Sequence, residues 1–156
     1  MKWQTSVQAF EVNPYPEGRT TLFSPPEGTV PVDWGDVVVP GEISMAEQEA
    51  LVNPRRPTLA SLKNGEKIFA TVCATCHGPT GGGDGPIAAP QGPIAGVLPI
   101  GPGPMGFSLA TGLTDGHIYS TISLGRGRMP NYRHISPEGR WDLVNYIRDL
   151  NGQGGR

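Results

Sequence analysis

Both cysteines of the chain fall within one pentapeptide, Cys73-Ala74-Thr75-Cys76-His77, and no other feature limits its possible structures as sharply. Two thiols three positions apart can each add across a vinyl group of haem to form thioethers, while the adjacent histidine reaches the iron from the same side. The competing readings are a zinc half-site, a thioredoxin-like redox pair and a simple disulfide. Zinc needs more ligands than this cluster supplies, since no second cysteine pair exists and His117 and His134 lack finger spacing. A redox pair is expected near a βαβ pattern, and none precedes the motif. The motif therefore points to one covalent haem c at Cys73 and Cys76, with iron held by His77.

The composition agrees. Glycine (23 residues) and proline (17 residues) supply about a quarter of the 156 residues, near the proportion at which chains without a period lose regular structure. Only 37% of residues are hydrophobic and 7% aromatic, a thin supply for a core that a large apolar cofactor would complete. The formal charge of −2 is spread without a basic or acidic block, which argues against nucleic acid or an anionic membrane surface as partner. Proline, glycine or a charge interrupts every apolar stretch before the roughly eighteen residues that a membrane helix needs. Trp3, Gln4, Thr5 and Ser6 follow Met1-Lys2 without an apolar region, so no signal peptide is expected within this sequence.

The chain divides by composition at about residue 57. Residues 1–57 read as an extended arm, with Pro14, Pro16, Pro25, Pro26, Pro31, Pro40, Pro54 and Pro57 cutting each potential helix short. One short helix is predicted over Ser44 to Val52, capped by Ser44 with Glu47 in the capping-box position and ended by Asn53-Pro54. Val37-Val38-Val39 is a candidate scrap of strand, and no internal repeat is evident.

Residues 58–156 carry helical signals. Thr58 or Ser61 caps a predicted helix running to about Val72, with Leu62, Phe69 and Val72 on one face. The stretch from Gly78 to Gly112 is expected to form a loop that wraps another part of the structure. Thr114 is the predicted cap of a middle helix with Ile118 and Ile122 on one face and Gly125 as a left-handed terminator. Ser136-Pro137-Glu138 opens a last helix whose buried stripe is Leu143, Val144, Ile147 and Leu150, closed by Gly152.

A haem bound by His77 leaves a sixth iron position, for which Met129 is the leading candidate. It lies in Gly125-Arg126-Gly127-Arg128-Met129-Pro130, where glycines allow close backbone approach and Pro130 stiffens it. A thioether sulfur suits low-spin iron and raises its potential. Met105 ranks second and His117 and His134 third. The second ring N–H of His77 is expected to reach a carbonyl of Gly85-Pro86 or Gly92-Pro93. Arg126 and Arg128 read either as partners of haem propionates or of a redox protein, or as solvated loop charges.

From Thr58 to Asn151 these residues resemble class I cytochromes c: Gly65 and Phe69 before Cys73-Ala74-Thr75-Cys76-His77-Gly78, the Met129-Pro130 loop, and Val144-Asn145-Tyr146-Ile147 in the last helix. The resemblance implies an all-α fold of about three to four helices around one haem, in which the first and last helices cross at a glycine with an aromatic from each side. Gly65, Phe69 and Tyr146 match those roles. It also implies outer-sphere transfer of one electron, with no small-molecule substrate and no enzymatic reaction.

A finer resemblance is to the monohaem cytochrome subunit of bacterial alternative complex III, a membrane quinol-oxidising assembly. It rests on Gly28-Thr29-Val30 at the end of a Pro-rich arm and on the loop from Gly125 to Tyr132, which also resembles cytochrome domains serving haem-copper oxygen reductases. It implies membership of a membrane respiratory complex, a redox partner protein, and a periplasmic or outer-face location. Such subunits are often anchored through an N-terminal lipidated cysteine, whereas both cysteines here are assigned to haem. A freely diffusing carrier and a haem enzyme or gas sensor with an open sixth position are the alternatives.

Overall fold

The computed structural model describes residues 41, 43–88, 92–94, 96–103 and 106–154. The arm from residue 1 to 40 lies outside them, and with it the candidate strand at Val37-Val38-Val39 and Gly28-Thr29-Val30. Met105 lies outside them too. The described residues are helical with no strand, in keeping with the expected all-α fold. None of their helices is long and apolar enough to cross a membrane.

Among the described residues there are five α-helices: α1 (Met45–Glu49), α2 (Leu59–Ile68), α3 (Ala74–His77), α4 (Asp115–Leu124) and α5 (Pro137–Leu150). Four begin at the capping residues that the sequence singles out. Ser44 forms a complete capping box, its hydroxyl accepting from the Glu47 amide at 3.3 Å and its amide donating to the Glu47 carboxylate at 2.7 Å. Thr58, Thr114 and Ser136 each accept from the amide three residues on. α5 ends in a Schellman arrangement: Gly152 at φ +68 lets its own amide reach Asp149 O while Gln153 N donates to Arg148 O.

Three expectations change. α1 stops at Glu49 instead of Val52, because the chain from Leu51 is drawn out along α4 and α5 by Asn53 and Arg55. The first long helix does not end at Val72. It continues through a π-helical turn, Phe69–Cys73, into α3, and stops where Gly78 turns to φ +76. Gly125 has the expected positive φ of +75, but with ψ 167 it is not left-handed helical. An added Cβ there would meet Met129 O at 2.5 Å, so the chain doubles back tightly at that point.

The core comprises Phe69, Ala110, Ile118, Tyr119, Ile122, Trp141, Leu143, Val144 and Ile147. Each large aliphatic side chain buried there contributes about 1.5–3 kcal/mol. Trp141 stacks on Tyr119 with centroids 4.0 Å apart, and the buried Arg140 guanidinium lies 5.0 Å over the same ring. α2 presents Ser61, Gly65 and Phe69 inward, while Leu62 and Val72 are only half-buried. Ser61 and Gly65 are small because α5 crosses there at backbone distance. A Cβ on Gly65 would stand 2.7 Å from Tyr146 Cβ, and the Phe69 and Tyr146 rings meet beside it at 5.3 Å. These are the positions expected for Gly65, Phe69 and Tyr146.

A polar network fastens the segment before α2. Buried Asp142 accepts from Arg55 Nε (2.7 Å), Ser61 Oγ (2.5 Å) and Asn64 Nδ2 (2.8 Å). Asn145 bonds Asn53, Ser61 and the Arg55 carbonyl. A buried carboxylate is tolerated only with such partners. Residues 43–57, which by composition belong to the arm, thus contain a helix and a strap packed on α4 and α5.

Candidate functional site

α3 is a single turn, so Cys73 and Cys76 project from the same side of the helix and His77 follows directly. Burial, reinforced by the charge of Cys76, pushes the Cys73 thiol up to about 12. A redox or nucleophilic cysteine needs the opposite shift, so Cys73 is not activated as a thiolate. No group of three or more His, Cys, Asp or Glu side chains that could hold a bare metal ion occurs among the described residues.

His77 is half-buried, and burial depresses its basicity despite the opposing effect of its bond to Leu98. Its Nδ1 lies 3.3 Å from the Leu98 carbonyl, which can only accept, so the proton sits on Nδ1 and Nε2 is left as the metal-binding atom. The carbonyl expected from Gly85-Pro86 or Gly92-Pro93 is therefore Leu98 instead. Gly85 packs elsewhere: its amide donates to Cys76 O, and a Cβ there would meet Thr75 O at 2.4 Å. Leu98 arrives through the return of the loop, where the Ile100 and Gly101 amides both bond Gly81 O and Asn151 Nδ2 holds Ile100 O. No local signal in the sequence marks Leu98 for this task. The loop ends in a 3-10 turn at Leu109–Gly112, a piece of helix in a stretch expected to have none.

Met129 closes a tight hairpin. Arg126 N donates to Met129 O and Met129 N to Arg126 O, both at 3.0 Å, with Gly127 at φ +59 between them. The half-buried Met129 packs against the core cluster, as do Cys73, Ala74 and Tyr132. Burial raises the Tyr132 hydroxyl, and repulsion from Cys76 and then Cys73 adds to it, which places Tyr132, three residues after Met129, near the cysteine pair. The hairpin also faces the His77-side loop, since a Cβ at Gly96 would lie 3.6 Å from Arg128 Nη2.

The other sixth-ligand candidates fare differently. Both ring nitrogens of His117 are engaged, Nδ1 with Glu49 Oε1 (3.1 Å) and Nε2 with Arg126 Nη1 (2.9 Å). His134 is exposed, its ring 5.8 Å from that of Tyr132. Met105 is outside the described residues. α3 and the hairpin thus carry two thiols, one imidazole nitrogen and one thioether, with Cys73 and Met129 both packed against the core cluster. That set fits covalent haem c: thiols for two vinyl groups, nitrogen and sulfur for the two iron positions.

Comparison with known proteins gives a family. Residues 60–147 match the family model described as cytochrome C oxidase, cbb3-type, subunit III. No curated protein matches the chain. Among solved structures, the reducing HAO-like protein complex of Kuenenia stuttgartiensis is similar at 30% identity and a TM-score of 0.51, covering 62% of this chain. The chain spans 46% of that neighbour's length. Cytochrome CL of Methylophaga aminisulfidivorans aligns at 23% identity and a TM-score of 0.45, over 76% of this chain and 81% of that one.

Proposed function

The chain belongs to the family of cytochrome c oxidase, cbb3-type, subunit III, and from that premise we propose that it carries single electrons on one haem c joined to Cys73 and Cys76, with His77 and Met129 as axial ligands. When bound, the haem supplies a reversible one-electron change at iron. The chain's residues hold and orient it. Leu98 fixes the His77 tautomer and ring, the hairpin presents Met129, and the apolar core on which Cys73 and Met129 pack borders the site. Since both ligands are held by the fold, little rearranges on reduction, and no substrate needs access to iron.

The observation that carries this reading is the His77 Nδ1 to Leu98 bond, which leaves Nε2 as ligand in a chain turn that also carries both thiols. The testing substitution is Met129→His. It keeps iron low-spin but lowers the potential, because imidazole donates to ferric iron more strongly than thioether. The oxidised wild type should show the weak sulfur-to-iron charge-transfer band at the red end of its spectrum. Loss of that band in Met105→Ala but not in Met129→Ala would transfer the assignment to Met105.

The wider setting is a membrane respiratory complex on the periplasmic or outer face, where covalent haem c is made. The loop from Gly125 to Tyr132 and the Pro-rich arm favour a subunit of a quinol-oxidising assembly resembling alternative complex III, with the arm laid across neighbouring chains. The family to which the chain belongs favours a second setting, service to a haem-copper oxygen reductase. Isolation from native membranes separates them: co-purifying quinol-oxidising subunits support the first, an oxygen reductase the second, and recovery of the protein alone a diffusing carrier.

A further inference from the structure

We propose that Arg126, braced by His117 of α4 and Met45 of α1, is the positioning residue that holds the Met129 hairpin against the domain, so that α1 secures the axial thioether. This rests on the reading of Met129 as ligand. Arg126 is joined to Met129 by both backbone hydrogen bonds of the hairpin, so whatever fixes Arg126 fixes Met129. Its side chain reaches two other elements. Nη1 donates to His117 Nε2 at 2.9 Å, and Nη2 to Met45 Sδ at 3.2 Å.

The far end of this brace is itself anchored. Since Arg126 can only donate, His117 Nε2 accepts, and Nδ1 carries the proton it gives to Glu49 Oε1 at 3.1 Å. The ring is thus a neutral connector between a carboxylate on α1 and a guanidinium on the hairpin. α1 is seated on α4 by close backbone contact: a Cβ on Gly116 would stand 2.2 Å from Gln48 O and 2.8 Å from Leu51 O. The capping box at Ser44 and Glu47 keeps this short helix formed, so Met45 meets Arg126 and Glu49 meets His117 from a fixed base.

An exposed surface pair adds little to global stability. A two-residue hairpin, however, opens locally at small cost, and there one charge-assisted bond changes the open population substantially. Opening would expose the iron position held by Met129 to an external ligand.

The test titrates imidazole into the oxidised full-length haem protein and follows loss of the sulfur-to-iron band, alongside amide exchange at Met129. Arg126→Ala and His117→Ala should be displaced at about tenfold lower imidazole, with Met129 amide exchange faster by a similar factor, as expected for loss of one hydrogen bond to a charged group. His117→Gln retains a donor for Glu49 and an acceptor for Arg126, and should restore most of the resistance. Wild-type resistance and exchange in both alanine variants, or no rescue by glutamine, would overturn the proposal. Failure of the ligand reading looks different: Met129→Ala would keep the band, while the Arg126→Ala effect on Met129 exchange would persist.

Discussion

Gly65 and Asp142 touch backbone to backbone: a Cβ on Gly65 would stand 2.2 Å from the Asp142 carbonyl oxygen. The crossing of α2 and α5 thus depends on the missing side chain, and it seats Phe69 beneath the turn that carries both cysteines. Gly65→Ala should force the helices apart and cost about 1–3 kcal/mol, the usual penalty of overpacking. Thermal melting should report a fall of several degrees. An unchanged melting temperature would mean that α2 can shift freely.

Truncation at Thr58 removes Asn53, Arg55 and α1 together. Asp142 then keeps Ser61 and Asn64 but loses its cation, the Arg55 guanidinium, which the 2.7 Å bond to Asp142 holds above its ordinary range. The truncated protein should melt several degrees early, and Arg55→Ala alone should reproduce part of the loss, about 1 kcal/mol given the partly exposed arginine. If truncation at Thr58 leaves melting unchanged while truncation at Gly41 abolishes assembly, the strap is dispensable and the arm acts only in docking.

Helix starts were legible in the sequence, because Ser44, Thr58, Thr114 and Ser136 act through bonds to amides three residues away. The apolar stripe of α5 was legible for the same local reason. The cap signals said nothing of Arg55, Asp142 and Asn145, which meet only after the chain has folded across some ninety positions. The π turn was also hidden, since Phe69-Ala70-Thr71-Val72-Cys73 carries no helix breaker to announce a change of pitch. In the site, the motif pointed to Cys73, Cys76 and His77. The orienting carbonyl at Leu98 depends on loop closure through Gly81 and Gly101, and any residue in that place offers the same oxygen.

That closure gives a further prediction. A Cβ on Gly101 would stand 2.0 Å from Thr80 O, so Gly101→Ala should displace the returning loop and with it the Leu98 carbonyl. Losing this acceptor makes the imidazole a weaker donor and ferric iron less stable. The reduction potential should rise while the iron stays low-spin. A lower potential would contradict the role given to Leu98.

The central claim is covalent attachment of one haem at Cys73 and Cys76, and acid-acetone extraction of the denatured protein tests it most directly, since thioethers survive where iron–ligand bonds do not. The pigment should stay with the polypeptide, and the proteolytic peptide spanning Cys73 to His77 should carry the mass of one haem. Pigment that extracts freely, with both thiols then open to alkylation, would contradict the account.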